Sequence, residues 1–73
     1  MPSKYPVLKP AEVIRRLECF GFYKVGQRGS HLKLSNGSRV CIVPFHEEVA
    51  KGTLKSILEQ AKVSLEDFMN VGR

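Results

Sequence analysis

The sequence predicts a small α+β domain in which helices cover one face of a three-stranded antiparallel sheet. Apolar residues recur at helical spacing near both ends of the chain, whereas the middle contains short alternating runs. Two of these runs flank Asn36-Gly37, the strongest short-range signal for a β-hairpin. The predicted order is α-β-β-β-α with a short C-terminal helix, a two-layer fold whose second sheet face can stay in water.

Length and charge limit the organisation and the partners of the chain. Its 73 residues fit a single domain over 1–73, and Pro2 and Pro6 predict an extended lead-in over 1–9. The net charge of +5 favours an anionic partner such as nucleic acid, although many small domains are basic without such a role. Charge alone therefore raises the expectation of nucleic-acid binding only modestly.

The cysteines and the hydropathy pattern indicate a cytoplasmic protein. Cys19 and Cys41 lie far apart with no Cys-x-x-Cys spacing, which fits reduced thiols better than a disulfide framework. No apolar run is long enough for a transmembrane helix, and the N-terminus lacks an apolar signal core. We therefore expect no membrane partner.

The first helix is predicted from Pro10, which suits a first helical turn because its missing N–H would be unpaired there anyway. Gly21 is the expected left-handed stop, after which Phe22 folds back onto the last turn. The apolar stripe is Val13, Ile14, Leu17 and Phe20, with Glu12, Arg15, Arg16 and Glu18 facing outward.

The first strand is predicted over Phe22–Val25, followed by a link over residues 26–29 to the hairpin. A three-residue hairpin loop, Ser35-Asn36-Gly37 with Gly37 left-handed, separates apolar from polar side chains best, because residues paired across strands share a face. This register places Leu32, Leu34, Val40 and Ile42 in the core, and His31, Lys33, Arg39 and Cys41 on an open basic face.

The C-terminal part is predicted to contain two helices. Pro44 ends the third strand, and Thr53 is the expected N-cap of the second helix. Ser64-x-x-Asp67 predicts a capped short helix through Met69. The inward residues are Leu54, Ile57, Leu58 and Ala61 of the second helix and Leu65 and Phe68 of the last.

His31 is the main candidate for chemistry. An imidazole can gain or lose a proton near neutral pH, and Arg28, Lys33 and Arg39 could hold a phosphate beside it. These groups suffice for metal-free RNA cleavage, in which a base activates the 2′-OH and an acid protonates the departing 5′ oxygen. The simpler interpretation is that His31 is a polar residue on an exposed strand.

Other site chemistries are less well supported. His46 could be the second proton-transfer group, although a hydrogen bond within the loop after Pro44 explains it better. A zinc site built from the two histidines and the two cysteines lacks the required spacing, so no metal or other cofactor is expected. A Ser30–His31 nucleophile pair is rejected because neighbours on a strand point to opposite faces.

Four blocks of the sequence together resemble one family. These blocks are Gly21-Phe22, Gln27-Arg28-Gly29-Ser30-His31, Pro44-x-His46 and Gly52-Thr53-Leu54-x-x-Ile57-Leu58. Over Pro10 to Phe68 the chain is similar to the HicA toxins of bacterial and archaeal toxin–antitoxin pairs.

The resemblance implies a double-stranded-RNA-binding-domain-like fold and a ribosome-independent endoribonuclease that cleaves mRNA, with His31 as its catalytic histidine. It also implies neutralisation by a HicB-type antitoxin. The alternatives are a non-catalytic RNA-binding module with a basic sheet face, and an interaction protein that docks an acidic partner.

Overall fold

A computed structural model of the chain describes residues 5–71 and confirms the predicted α+β arrangement. The three strands form one antiparallel sheet in which each strand pairs with the next one along the chain. None of the helices within residues 5–71 is long and apolar enough to cross a membrane. The elements are α1 (Pro10–Glu18), β1 (Tyr23–Arg28), β2 (His31–Ser35), β3 (Val40–Pro44), α2 (Lys51–Ala61) and α3 (Leu65–Asn70).

The hydrophobic core lies between the helices and one face of the sheet. Leu8, in the described part of the predicted lead-in, forms an isolated antiparallel bridge with Val49, while residues 1–4 of that lead-in lie outside the described residues. The core residues are Val13 and Leu17 of α1, Phe22, Leu34, Cys41 and Val43 of the sheet region, Val49, Leu54, Ile57, Leu58 and Ala61 around α2, and Phe68 of α3.

The end of α1 matches the prediction. Gly21 has a φ of +85°, which only glycine adopts without steric cost. The Phe22 N–H donates to the Leu17 carbonyl at 3.3 Å, and the Phe22 side chain is buried. The chain thus reverses onto the last turn of α1 and enters the sheet at Tyr23.

Strand β1 is longer than predicted, and the link predicted over residues 26–29 is wrong. Pairing with β2 continues from Tyr23–Ser35 to Arg28–His31, with a β-bulge between Lys24 and Gly26. The connection is only Gly29-Ser30, and the φ of +58° at Gly29 suits the first central position of a II′ turn. Because this turn is so tight, Arg28 and His31 pair directly.

The predicted register of the second hairpin is also wrong. The last pair is Ser35–Val40 rather than Leu34–Ser38, which leaves a four-residue loop over 36–39. The Asn36 Oδ1 accepts hydrogen bonds from the N–H groups of Ser38 (2.9 Å) and Arg39 (2.7 Å), and so closes the longer loop.

Leu34 pairs with Cys41 instead of Ser38, a register shift of three residues, and an odd shift exchanges the two faces of β3. Cys41 and Val43 are buried, whereas Val40 and Ile42, which were predicted in the core, are exposed. Cys41 therefore does not lie on the open face, and Arg39 belongs to the loop rather than to a strand. Residues 40–43 are all apolar, so alternation could not choose between the registers.

The caps of the last two helices differ in how well they were predicted. The N-cap of α2 is Ala50, which makes no side-chain hydrogen bond, and Thr53 lies inside the first turn, so the Thr53 prediction is wrong. In α3 the Ser64 Oγ accepts from the Asp67 N–H at 3.1 Å, as predicted. Helix α3 extends to Asn70, one residue beyond the predicted end.

The two cysteines are expected to react very differently. Cys19 is exposed, whereas burial raises the pKa of the Cys41 thiol from 9.0 to about 11. Iodoacetamide at about pH 8 should alkylate Cys19 and spare Cys41 in the native chain, because the thiolate is the nucleophile. Mass spectrometry of native and urea-unfolded samples measures this, and equal labelling of both thiols in the native chain would contradict the buried position of Cys41.

Candidate active site

The ladder pairing arranges the open face of the sheet in three cross-strand rows. Residues opposite each other share a face, so each row presents its side chains to solvent together. From one end of the sheet to the other, the rows are Arg28–His31–Pro44, Gly26–Lys33–Ile42 and Tyr23–Ser35–Val40.

His31 lies on this solvent-exposed face, away from the helices. Arg28 is its direct cross-strand neighbour, and Lys33 is the next residue of β2 on the same face. An open cavity of about 440 Å³ is lined by these three side chains together with Gly26, Gln27 and Ile42. The sheet thus brings three of the predicted site residues together.

The cations of this cavity are available to bind an anion. Within residues 5–71, the side chains of Arg28 and Lys33 make no hydrogen bond or salt bridge, and no carboxylate lines the cavity. An Arg fork and a Lys ammonium that lack protein partners suit the oxygens of a phosphodiester.

His46 lies beside His31, although the two residues are far apart in sequence. The Phe45 N–H donates to the Ser30 carbonyl, which extends the β2–β3 ladder beyond the pair His31–Pro44. The two imidazole rings meet edge to face, with centroids 5.8 Å apart. Among the described residues the His46 side chain makes no hydrogen bond, so the loop bond considered for it is not observed.

Arg39 is not brought to the same place. It lies in the 36–39 loop, beyond the Ser35–Val40 pair at the opposite end of the hairpin from His31. Ser35 lies four residue steps along β2 from His31, which corresponds to about 13 Å. A contact between Arg39 and RNA therefore stays a prediction, and it would involve a different phosphate from the one near His31.

Gly26 and Ile42 are site residues that the sequence did not reveal. Gly26 was predicted in a loop and Ile42 in the core, whereas both lie in the middle row of the open face. Two features were missing: the bulge after Lys24 puts Gly26 rather than Val25 opposite Lys33, and the register of the second hairpin turns Ile42 outward.

Comparison with known proteins identifies the family. No curated protein matches the chain. The model of the family described as the HicA toxin of bacterial toxin–antitoxin systems matches residues 10–63, well over half of the 73 residues. The match begins with α1 and ends just after α2, short of the predicted Phe68, and it includes the whole sheet and both histidines. The chain therefore belongs to the HicA family of toxins from bacterial toxin–antitoxin systems.

Proposed function

We propose that the chain is a ribosome-independent endoribonuclease that cleaves mRNA, with His31 as a general acid or base. The observation that supports this most directly is the contact between His31, which lies on an exposed sheet face beside Arg28 and Lys33, and His46 of the loop that follows β3. Two imidazoles at one phosphodiester can supply both proton transfers that RNA cleavage needs.

The proposed reaction has one proton removed and one proton added. A neutral imidazole takes the proton of a ribose 2′-OH, and the O2′ atom attacks the adjacent phosphorus. The bond from phosphorus to the 5′ oxygen breaks, and an imidazolium protonates that oxygen. His31 performs one of these transfers and His46 the other, leaving a 2′,3′-cyclic phosphate and a 5′-OH without a cofactor.

The cations have separate roles in this proposal. Arg28 and Lys33 hold the non-bridging oxygens of the reacting phosphate and offset the negative charge that develops on them. Arg39, at the other end of the hairpin, binds a phosphate farther along the RNA. One single-stranded RNA can lie along the sheet and contact Arg39 at one end and Arg28 and Lys33 toward the other.

The experiment that tests the proposal is incubation of the purified chain with single-stranded RNA in the presence of EDTA. We expect fragments that end in a 2′,3′-cyclic phosphate and begin with a 5′-OH, identified by mass spectrometry. A 5′-phosphate on the fragments would indicate attack by water and exclude this mechanism. Salt-sensitive RNA binding without fragments would favour the alternative, a non-catalytic RNA-binding module.

Membership of a toxin–antitoxin family implies a protein partner, and we further propose a HicB-type antitoxin that covers the open face. Tyr23, Val40 and Ile42 are 55%, 46% and 37% exposed on that face, so a partner that covers His31 could also bury apolar area along the same face. Hydrogen exchange of the co-purified pair tests this placement. Protection confined to the helices would contradict it.

A further inference from the structure

The middle row of the open face contains a gap where a side chain would normally lie. Gly26 is the β1 member of the row Gly26–Lys33–Ile42. It does not have a positive φ, and no described atom lies within 4 Å of the position that a Cβ on Gly26 would take. Neither the backbone nor the packing therefore requires glycine at this position, and the absence of a side chain leaves the space above β1 open.

The empty space is the cavity of about 440 Å³ next to His31. Its size falls within the range of about 300–1,000 Å³ typical of small-ligand sites. A glycine inside a strand is often found where a ligand approaches the backbone closely, and β-bulges such as the one after Lys24 are common next to active sites.

The lining of the cavity combines two kinds of surface. Ile42, which is 37% exposed, supplies an apolar patch, and Arg28 and Lys33 supply the cations. The Gln27 amide is already occupied, because its N–H donates to the Gly29 carbonyl (2.9 Å) and its oxygen accepts from the Lys24 ammonium (2.9 Å). Recognition in the cavity therefore comes from the apolar patch and the cations.

We propose that this cavity receives one nucleobase of single-stranded RNA, the base of a nucleotide that flanks the scissile phosphate. The inference rests on the proposed nuclease function and names how that site grips its substrate. A bare phosphate would leave Ile42 uncovered, and an uncharged apolar ligand would bury cations without partners. A nucleotide satisfies both surfaces, since the flat face of its base can pack on Ile42 and its phosphate is an anion.

The geometry matches the size of one nucleotide. His31 and Lys33 are two residues apart on β2, so the row Arg28–His31–Pro44 and the middle row are separated by about 7 Å. With the phosphate at His31 and Arg28, the attached nucleoside reaches the space above Gly26 without a long spacer. Only an unpaired base can enter, because a base inside a duplex is stacked and turned away from the protein.

The test is to fill the cavity and remove the base in the same experiment. The Gly26→Leu variant places a side chain in the gap, and matched RNA substrates carry an abasic nucleotide on either side of the cleavage site. For the natural chain, loss of the base at one of these positions should lower kcat/KM by roughly 5–150-fold, the range that corresponds to the loss of one base stacked on an aromatic side chain. The Gly26→Leu variant should cleave the intact RNA with a similarly lowered kcat/KM, mainly because its KM is higher. The abasic substitution should then lower its kcat/KM little further.

The matched control is Gly52→Leu. Gly52 also lacks a positive φ, and no described atom lies within 4 Å of the place its Cβ would take, but it belongs to α2 on the other layer. The abasic substitution should lower kcat/KM of Gly52→Leu as much as it lowers that of the natural chain. Circular dichroism checks folding, and Gly26→Ala and Ile42→Ser provide milder changes should Gly26→Leu fail to fold.

The outcomes separate the two proposals. A natural chain that leaves RNA intact overturns the nuclease proposal itself and, with it, this inference. If the natural chain cuts RNA but the abasic substitution lowers kcat/KM equally in the natural chain and in Gly26→Leu, only the base-binding cavity is overturned. That second result would also be expected if the cavity served a protein segment instead of RNA.

Discussion

Replacement of His31 by alanine should lower kcat/KM for RNA cleavage by roughly 10²–10⁴-fold, the usual contribution of one proton-transfer group. His31 is exposed at the end of β2 with its ring against that of His46, so its removal deletes one of the two proposed proton-transfer groups without opening the core. Initial rates on a short single-stranded RNA measure the effect. The variant should unfold at the same urea concentration as the natural chain.

Two controls separate the loss of chemistry from the loss of charge or binding. His31→Gln keeps a polar side chain but cannot transfer a proton at neutral pH, so it should be as inactive as His31→Ala. Lys55→Ala removes a cation from the exposed side of α2, away from the sheet, and should retain activity. An unchanged rate in His31→Ala would exclude His31 from the mechanism.

The substrate offers a further control for the same reaction. An RNA with a single 2′-deoxy nucleotide at the cleavage position lacks the proposed nucleophile and should stay intact, while cleavage elsewhere continues. Cleavage at the 2′-deoxy position would indicate an activated water and contradict attack by the 2′-OH.

His46→Ala should also lose activity, because one imidazole would then have to perform both transfers.

The sequence was sufficient to predict the layers of the fold and the exposure of His31. Leu32 and Leu34 alternate with His31 and Lys33, so one face of β2 had to be buried and the other solvated. The helical stripe of α1 and its Gly21 stop were equally clear. These features depend on local patterns, which a single sequence contains.

The register of β3 and the position of His46 depend on contacts that the sequence does not contain. The four apolar residues 40–43 fit either register, and the side chain of Asn36 decides between them by closing a four-residue loop. His46 reaches His31 because the Phe45 N–H donates a hydrogen bond to the Ser30 carbonyl, which joins two loops that are far apart in sequence. The most informative contact of the candidate site was therefore out of reach of pattern analysis.

Arg16 is another residue whose long-range contacts local sequence patterns do not predict. The helical pattern of α1 predicts that it faces outward, yet its side chain is only 15% exposed. One terminal nitrogen of its guanidinium donates to the carbonyls of Phe68 (3.1 Å), Met69 (3.0 Å) and Val71 (2.8 Å), and the group lies 5.8 Å from the centre of the Phe68 ring. Arg16 thereby satisfies carbonyls at the end of α3 that would otherwise lack partners.

We expect Arg16→Met to destabilise the chain by about 2–4 kcal/mol, because several charge-assisted hydrogen bonds are lost at once. Helix α3 has only six residues and cannot persist without packing, and Phe68 is fully buried beneath it. Loosening α3 therefore exposes the core as well as the carbonyls. Urea unfolding followed by circular dichroism measures the change in the free energy of unfolding.

Arg15→Met is the matched control, since Arg15 is the neighbouring arginine and also binds Glu12. Arg15 donates to the Glu12 carboxylate at 2.6 Å and lowers the pKa of that carboxyl, but its own side chain is 54% exposed and touches no carbonyl of α3. Arg15→Met should therefore leave the urea midpoint almost unchanged. Equally lowered midpoints for the two variants would show that the shared ion pair with Glu12, rather than the capping of α3, is what Arg16 contributes. A lower midpoint for Arg16→Met alone would place the stabilising contact at the end of α3, a segment that lies outside the family match over residues 10–63.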